Sequence, residues 1–275
     1  VRSFCAKIIC LSLALVLIGC GKEPPQEDIL KSMAEFDRVY IPSLLFTNLQ
    51  KQRESEIAMG RLKREWERFY KRYYGLEIKY GMNITDKFWK EDLDVVEGLL
   101  VTAEAMIMEN KLEEAHEQLE VVREVLRDLR HRNGLAYYLD GMNEFHHAME
   151  QIILSLRGKD RLSDRDLERL RGWFRQAQKS WSKVSRTEIN PELFGFDPEK
   201  VDAVRKRVKE EERVLAIFAA ALSSQDADRI FQAAQDLKPN FVVLYKAFGD
   251  FQPIFDQIIK ERKEKEEEED ETGSE

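Results

Sequence analysis

An all-α fold is the prediction, and three observations make it. Apolar residues recur at alternating steps of three and four along most of the chain, the spacing that lines one face of a helix. Capping and breaking residues fall where those seams stop. No segment shows the period-two alternation of a half-buried strand.

The elements follow in order. A first helix from about Ile29 to Asn48 carries Leu30, Met33 and Tyr40. The second has Met59, Leu62, Trp66, Phe69 and Tyr73; the third Leu93, Val96, Leu100, Ala103 and Ile107; the fourth Leu112, Ala115, Leu119, Val122, Leu126 and Leu129. The fifth runs through Leu135, Tyr138, Met142, Phe145, Met149, Ile152 and Leu156, and the sixth through Leu167, Leu170, Phe174, Ala177, Trp181 and Val184. The seventh shows Val201, Val204 and Val208, then Leu215, Phe218 and Leu222, with Glu211 interrupting its seam. The last holds Phe241, Leu244, Phe248, Phe251, Phe255 and Ile258.

Local chemistry marks the ends. Asn133-Gly134 and Gly158 supply left-handed stops. Ser163 with Asp166 reads as a capped start, as does Asp197 followed by Pro198. Ser223 or Ser224 is placed to cap the helix after the seventh. Pro42, Pro239 and Pro253 fall inside helical patterns and predict kinks or breaks. The connection 185–196 carries Leu193, Phe194 and Phe196 and is expected to pack over a bundle end.

Seams this regular suit tandem antiparallel helical hairpins closing as two four-helix bundles, 29–133 and 134–262. A weak internal repeat aligns Ala58, Ala115 and Ala233, and Leu62, Leu119 and Leu237; heptad spacing matching itself gives the same alignment. A solenoid of helix pairs is the other arrangement such hairpins allow.

The N-terminal stretch is different in kind. Arg2 and Lys7 precede an apolar run from Ile8 to Ile18, which is short for a membrane span. Leu17-Ile18-Gly19-Cys20 then resembles the lipobox of bacterial lipoproteins. The resemblance implies a signal peptide over 1–19, acylation of Cys20, with palmitate among the expected chains, and anchorage to the lipid bilayer. Gly21 is not the aspartate that favours inner-membrane retention in that family, so the expected address is the outer membrane, facing the periplasm. Residues 20–28 read as a tether, and the acidic end 263–275 as a disordered tail. With Cys5 and Cys10 in the leader and Cys20 acylated, no thiol remains for a disulfide or a metal.

The formal net charge is −8, and no basic stripe with interleaved aromatics is visible, so nucleic acid is not an expected partner; proteins are. "EQLEVVREVL", 117–126, resembles the fourth helix of the cytochrome b562 family, relatives of cytochrome c′, as does "QDLKPNFVVLYKAF", 235–248. That resemblance implies an up-down-up-down bundle that holds haem. Tyr70, Arg127 and Tyr245 stand where the family places its haem histidine, and no CxxCH occurs.

Candidate ligands are few. Met33 and His131 form one conceivable haem pair, across adjacent helix ends. Met142, His146 and Met149, at steps of four and three, form a conceivable Cu(I) set, although both methionines are also ordinary seam positions. Glu113 with His116, and Glu144 with His147, have the di-iron spacing once each, but both glutamates flank their seams, as a solvated face does. No phosphate loop, GxSxG or HExxH is present. The expectation is a membrane-anchored, non-enzymatic helical scaffold or binding module without catalytic residue, metal or cofactor. The alternative is a four-helix carrier of haem b or copper.

Overall fold

The computed structural model describes residues 25–76 and 85–272. The expected leader and Cys20 lie outside the described residues. Those described are helical and loop, without a strand. The helices are α1 (Pro25–Asn48), α2 (Gln52–Tyr73), α3 (Trp89–Met108), α4 (Leu112–Arg132), α5 (Tyr138–Leu156), α6 (Asp164–Arg186), α7 (Pro191–Phe194), α8 (Pro198–Ser224), α9 (Ala227–Gln235), α10 (Leu237–Lys246) and α11 (Gln252–Thr272). Among the described residues no helix is long and apolar enough to cross a membrane.

The chain winds through two rings of neighbours. α1 packs on α2, α2 on α3, α3 on α4, and α4 returns to α1. α5 packs on α6, α6 on α8, α8 on α9 and α10, and these two return to α5. Most seam residues read from the sequence are buried: Leu62, Leu93, Leu119, Phe145, Leu170, Phe218 and Leu244 are all essentially inaccessible, whereas Phe255 is exposed and Leu30, Phe251 and Ile258 are only partly covered. One apolar core runs from Ile29 to Phe248 through both rings without a break. The segment after α6 packs as expected. The Phe194 ring lies 5.7 Å from Tyr137 and 5.0 Å from Phe248, and Phe196 lies 5.1 Å from Phe248, which ties α7 to α5 and α10.

Several expectations about boundaries need correction. α1 begins at Pro25, so residues 25–28 of the expected tether are helical. Proline is at home in a first turn, where its missing N–H has no intrahelical partner to lose. Asp28 is fastened there by an ion pair with Arg72 and by the Tyr73 hydroxyl, which donates to it at 2.9 Å. At the other end, residues 263–272 continue α11 instead of forming a disordered tail; Lys260 and Glu264 face each other one turn apart, a spacing that supports an exposed helix. Asp226, not Ser223 or Ser224, caps α9, accepting from the Arg229 N–H at 3.2 Å. Ser163 and Asp166 do form a reciprocal capping box.

The prolines divide by what receives the orphaned carbonyl. Pro239 sits in the first turn of α10, just past the break at Asp236, and Pro253 in the first turn of α11. Pro42, in contrast, lies inside an unbroken α1. A residue there would ordinarily donate to the carbonyl of Arg38. That carbonyl instead accepts from the Asp250 N–H at 2.8 Å. The turn between α10 and α11 thus docks on α1 at the place proline leaves open. Gly249 lets it come that close: a Cβ there would stand 3.0 Å from Ile41 Cγ2 and 3.2 Å from Pro42 Cδ.

Candidate functional site: a cleft between the two rings

On α4 the core positions Ala115, Leu119, Val122 and Leu126 are each followed by a polar residue: His116, Glu120, Arg123 and Arg127. On α5 the core positions Met142, Phe145 and Met149 are followed by Asn143, His146 and Glu150. One step round a helix is about 100°, so both polar rows flank their seams. α1 and α10 complete the walls with Ile41, Leu44, Phe241 and Tyr245, and the space between them is an open cleft of about 490 Å³.

At its floor lies Arg123, 8% exposed. Its Nη2 donates to His146 Nδ1 at 2.9 Å and pairs with Glu120. Burial, reinforced by Arg123 and Lys238, holds the His146 pKa well below its ordinary value. The ring is therefore neutral, accepts at Nδ1, and turns Nε2 toward Glu150, 3.6 Å away. Phe241 stacks on it with centroids 5.3 Å apart. Lys238 donates to Glu150 at 2.6 Å. His116 donates from Nδ1 to the Leu44 carbonyl at 3.1 Å, leaving Nε2 3.7 Å from Glu120; burial lowers its pKa too. Asn143 is 5% exposed, and its Oδ1 has no hydrogen-bond partner, a condition that costs about 1–3 kcal/mol when nothing else meets the group.

The same seam is filled further along α1 and α4. Arg130 donates from Nε to both oxygens of Asp140, at 3.0 and 3.1 Å. Its guanidinium lies 4.7 Å from the centre of the Tyr137 ring, and the Tyr137 hydroxyl donates to Asp37 at 2.6 Å. Burial raises Asp37 to about 6 against the pull of Arg130.

The structure places the sequence candidates as follows. Met33 is buried with Arg130 Nη1 3.9 Å from its sulfur, whereas the half-exposed His131 turns to Glu144 and Asp140 at 3.9 and 4.0 Å. The two have different partners and are not brought together. Met142 and Met149 are wholly buried seam residues, and only His146 of that trio reaches the cleft. Glu144 pairs with Lys183 at 2.6 Å. Among the described residues no group of three or more His, Cys, Asp or Glu is arranged to hold a metal ion. Arg123, Arg130, Asp37, Asp140 and Asn143 were not legible as site residues. The available signal was the polar row one step past each seam position on α4, and past Met142, Phe145 and Met149 on α5.

The cleft thus offers paired charges of both signs, amide groups and an apolar wall. Comparison with protein-family models, with curated proteins and with solved structures finds no match to this chain.

Proposed function

We propose that this protein is a non-enzymatic helical binding module, held to the periplasmic face of a bacterial outer membrane by acylated Cys20, and that the cleft between α1, α4, α5 and α10 is where it takes a partner. The cleft carries this reading, above all Asn143, whose buried carbonyl oxygen lacks a donor beside a cationic floor and an aromatic wall. Glu113, Glu117, Glu120, Glu124 and Glu150 line it together with Arg123, Arg127, Arg157, Lys238 and Lys246, so neither charge prevails. A polypeptide segment of a partner protein, with amide N–H groups and side chains of both signs, matches that lining. Neutral His146, already hydrogen-bonded to Arg123, serves to position that cation.

Two experiments test the reading. Tripeptides of mixed, purely acidic and purely basic charge are titrated against the protein by fluorescence polarisation. Mixed-charge peptides bind best, and Val242→Trp, which fills the cleft from its α10 wall, weakens them at least tenfold at unchanged helicity. Failure of all three classes to bind contradicts the cleft assignment. The anchor is tested apart from it: cells fed an alkynyl palmitate label the wild-type chain and leave Cys20→Ala unlabelled, while label retained by that variant removes the lipid attachment.

A further inference from the structure

α6 collects cations that no carboxylate meets. Arg165, Arg169, Arg175, Lys179 and Arg186 are exposed and Arg171 half-exposed. Among the described residues none of the six has an ion-pair or hydrogen-bond partner; the α6 side chains that do are Asp166, held by Lys159 and Ser163, and Ser180 and Lys183, both held by Glu144. Elsewhere among the described residues, unpaired cations such as Lys51, Arg64, Lys71 and Lys209 are scattered along the chain, and many others are paired. Lys63, Arg72, Arg123, Arg130 and Arg132 of the first ring all stand against carboxylates. Along the sequence the cations of α6 are diluted by seam residues, which is why no basic stripe is visible there. The helix gathers them: Leu167, Leu170, Phe174, Ala177, Trp181 and Val184 turn inward, and the cations cover about half of the circumference on the other side. The only carboxylates among them are Asp164 and Glu168.

This face runs along a helix of 23 residues, about 34 Å long. It carries no row of exposed aromatics on which bases could stack, so it suits an anionic surface better than a nucleic-acid strand. The whole chain carries −8, and its densest run of carboxylates, 264–271, lies on α11. α11 packs on α2 of the first ring, whereas α6 packs on α5 and α8 of the second. The densest acidic run and the α6 cations therefore belong to different rings, and an anionic plane attracts the α6 face. We infer that the outer face of α6 is a docking surface for a membrane rich in anionic phospholipid headgroups.

The test uses the full chain and vesicles of phosphatidylcholine alone or with phosphatidylglycerol, read by co-sedimentation. The ratio of the two partition coefficients cancels whatever the N-terminal segment contributes. The wild type prefers the phosphatidylglycerol vesicles by on the order of a hundredfold at low salt, and 0.5 M salt erases most of that preference by screening, as the Debye length falls to about 4 Å. The variant Arg165→Gln/Arg171→Gln/Arg175→Gln/Lys179→Gln, with helicity unchanged by circular dichroism, brings the ratio close to one. A control that neutralises Lys260, Arg262, Lys263 and Lys265 on α11 leaves the ratio as it was. A wild-type ratio near one overturns the inference, as does a ratio the α6 variant retains. Self-association that disappears in the α6 variant, without any vesicle preference, also overturns it and assigns the face to a second copy of the chain.

Discussion

Near Tyr137, the seam between the two rings is packed and its charges are met: Arg130 holds Asp140, Tyr137 holds Asp37, and Phe194, Phe196 and Phe248 close over them. A few turns further along α1 and α4, near His116, the same two rings stand apart. There a second buried arginine, Arg123, has a neutral histidine and one carboxylate for company, and Asn143 has an oxygen with no donor. Both stretches centre on an arginine one step past the core line of α4, Arg130 after Leu129 and Arg123 after Val122. The difference is in how completely the polar groups are satisfied. A satisfied buried pair is costly to break from one side, so the Tyr137 stretch joins the rings, while the His116 stretch keeps polar groups in reserve for an incoming partner.

The largest effect expected is at the packed stretch. Asp140→Asn leaves the Arg130 guanidinium buried with half its counter-charge gone, and costs about 3–5 kcal/mol in a guanidinium chloride unfolding curve. A loss below 1 kcal/mol would mean that this network does not join the rings. Gly249→Ala follows. Its methyl would press on Ile41 and Pro42, where the turn into α11 meets the Arg38 carbonyl, so a loss of about 1–3 kcal/mol is expected, seen as a lower Tm.

The next change tests the outer wall of α10, away from the cleft. Glu211 is fully buried, accepts from Asn240 at 2.7 Å, and is raised by burial to about 7. A carboxyl raised by folding gives stability that is complete below its unfolded pKa, about 4.3, and lost as pH rises through the folded value. Glu211→Gln therefore matches the wild type near pH 4 and is more stable above pH 7, by about 1–2 kcal/mol. His146 acts in the opposite sense: its depressed pKa contributes stability above about 6.5 that is lost as pH falls. The wild-type-minus-variant difference isolates Glu211, and a difference independent of pH contradicts its burial in the acid form. The smallest effect belongs to the open stretch. Asn143→Leu removes a buried polar atom that has no partner, so unfolding free energy does not fall, while mixed-charge tripeptide affinity falls about tenfold.

The all-α class and most core positions of α2 to α6 were legible in the sequence, because a helix seam is a one-dimensional pattern; on α1, buried over much of its circumference, Ile29, Phe36, Ile41 and Leu44 were missed. Glu211 even marked itself as an interruption in the seam of α8. What lay beyond reach was set by which helix faces meet. Glu113 with His116 read as a solvated face until α5 and α10 are laid beside them, and Met33 was a haem candidate until Arg130 is seen against it. The run through Pro42 was equally hidden, since the group that answers the Arg38 carbonyl comes from Asp250, far along the chain.

The contrast between the two stretches reduces to two arginines. Unfolding free energies of Arg130→Met and Arg123→Met, measured side by side at pH 7.5, test it most directly. The Arg130 variant, which strands Asp140 and Asp37 in the core, loses about 3 kcal/mol or more, and the Arg123 variant, at an open cleft, loses about 1 kcal/mol. Equal losses would contradict the division of the seam into a stretch that joins and a stretch that receives.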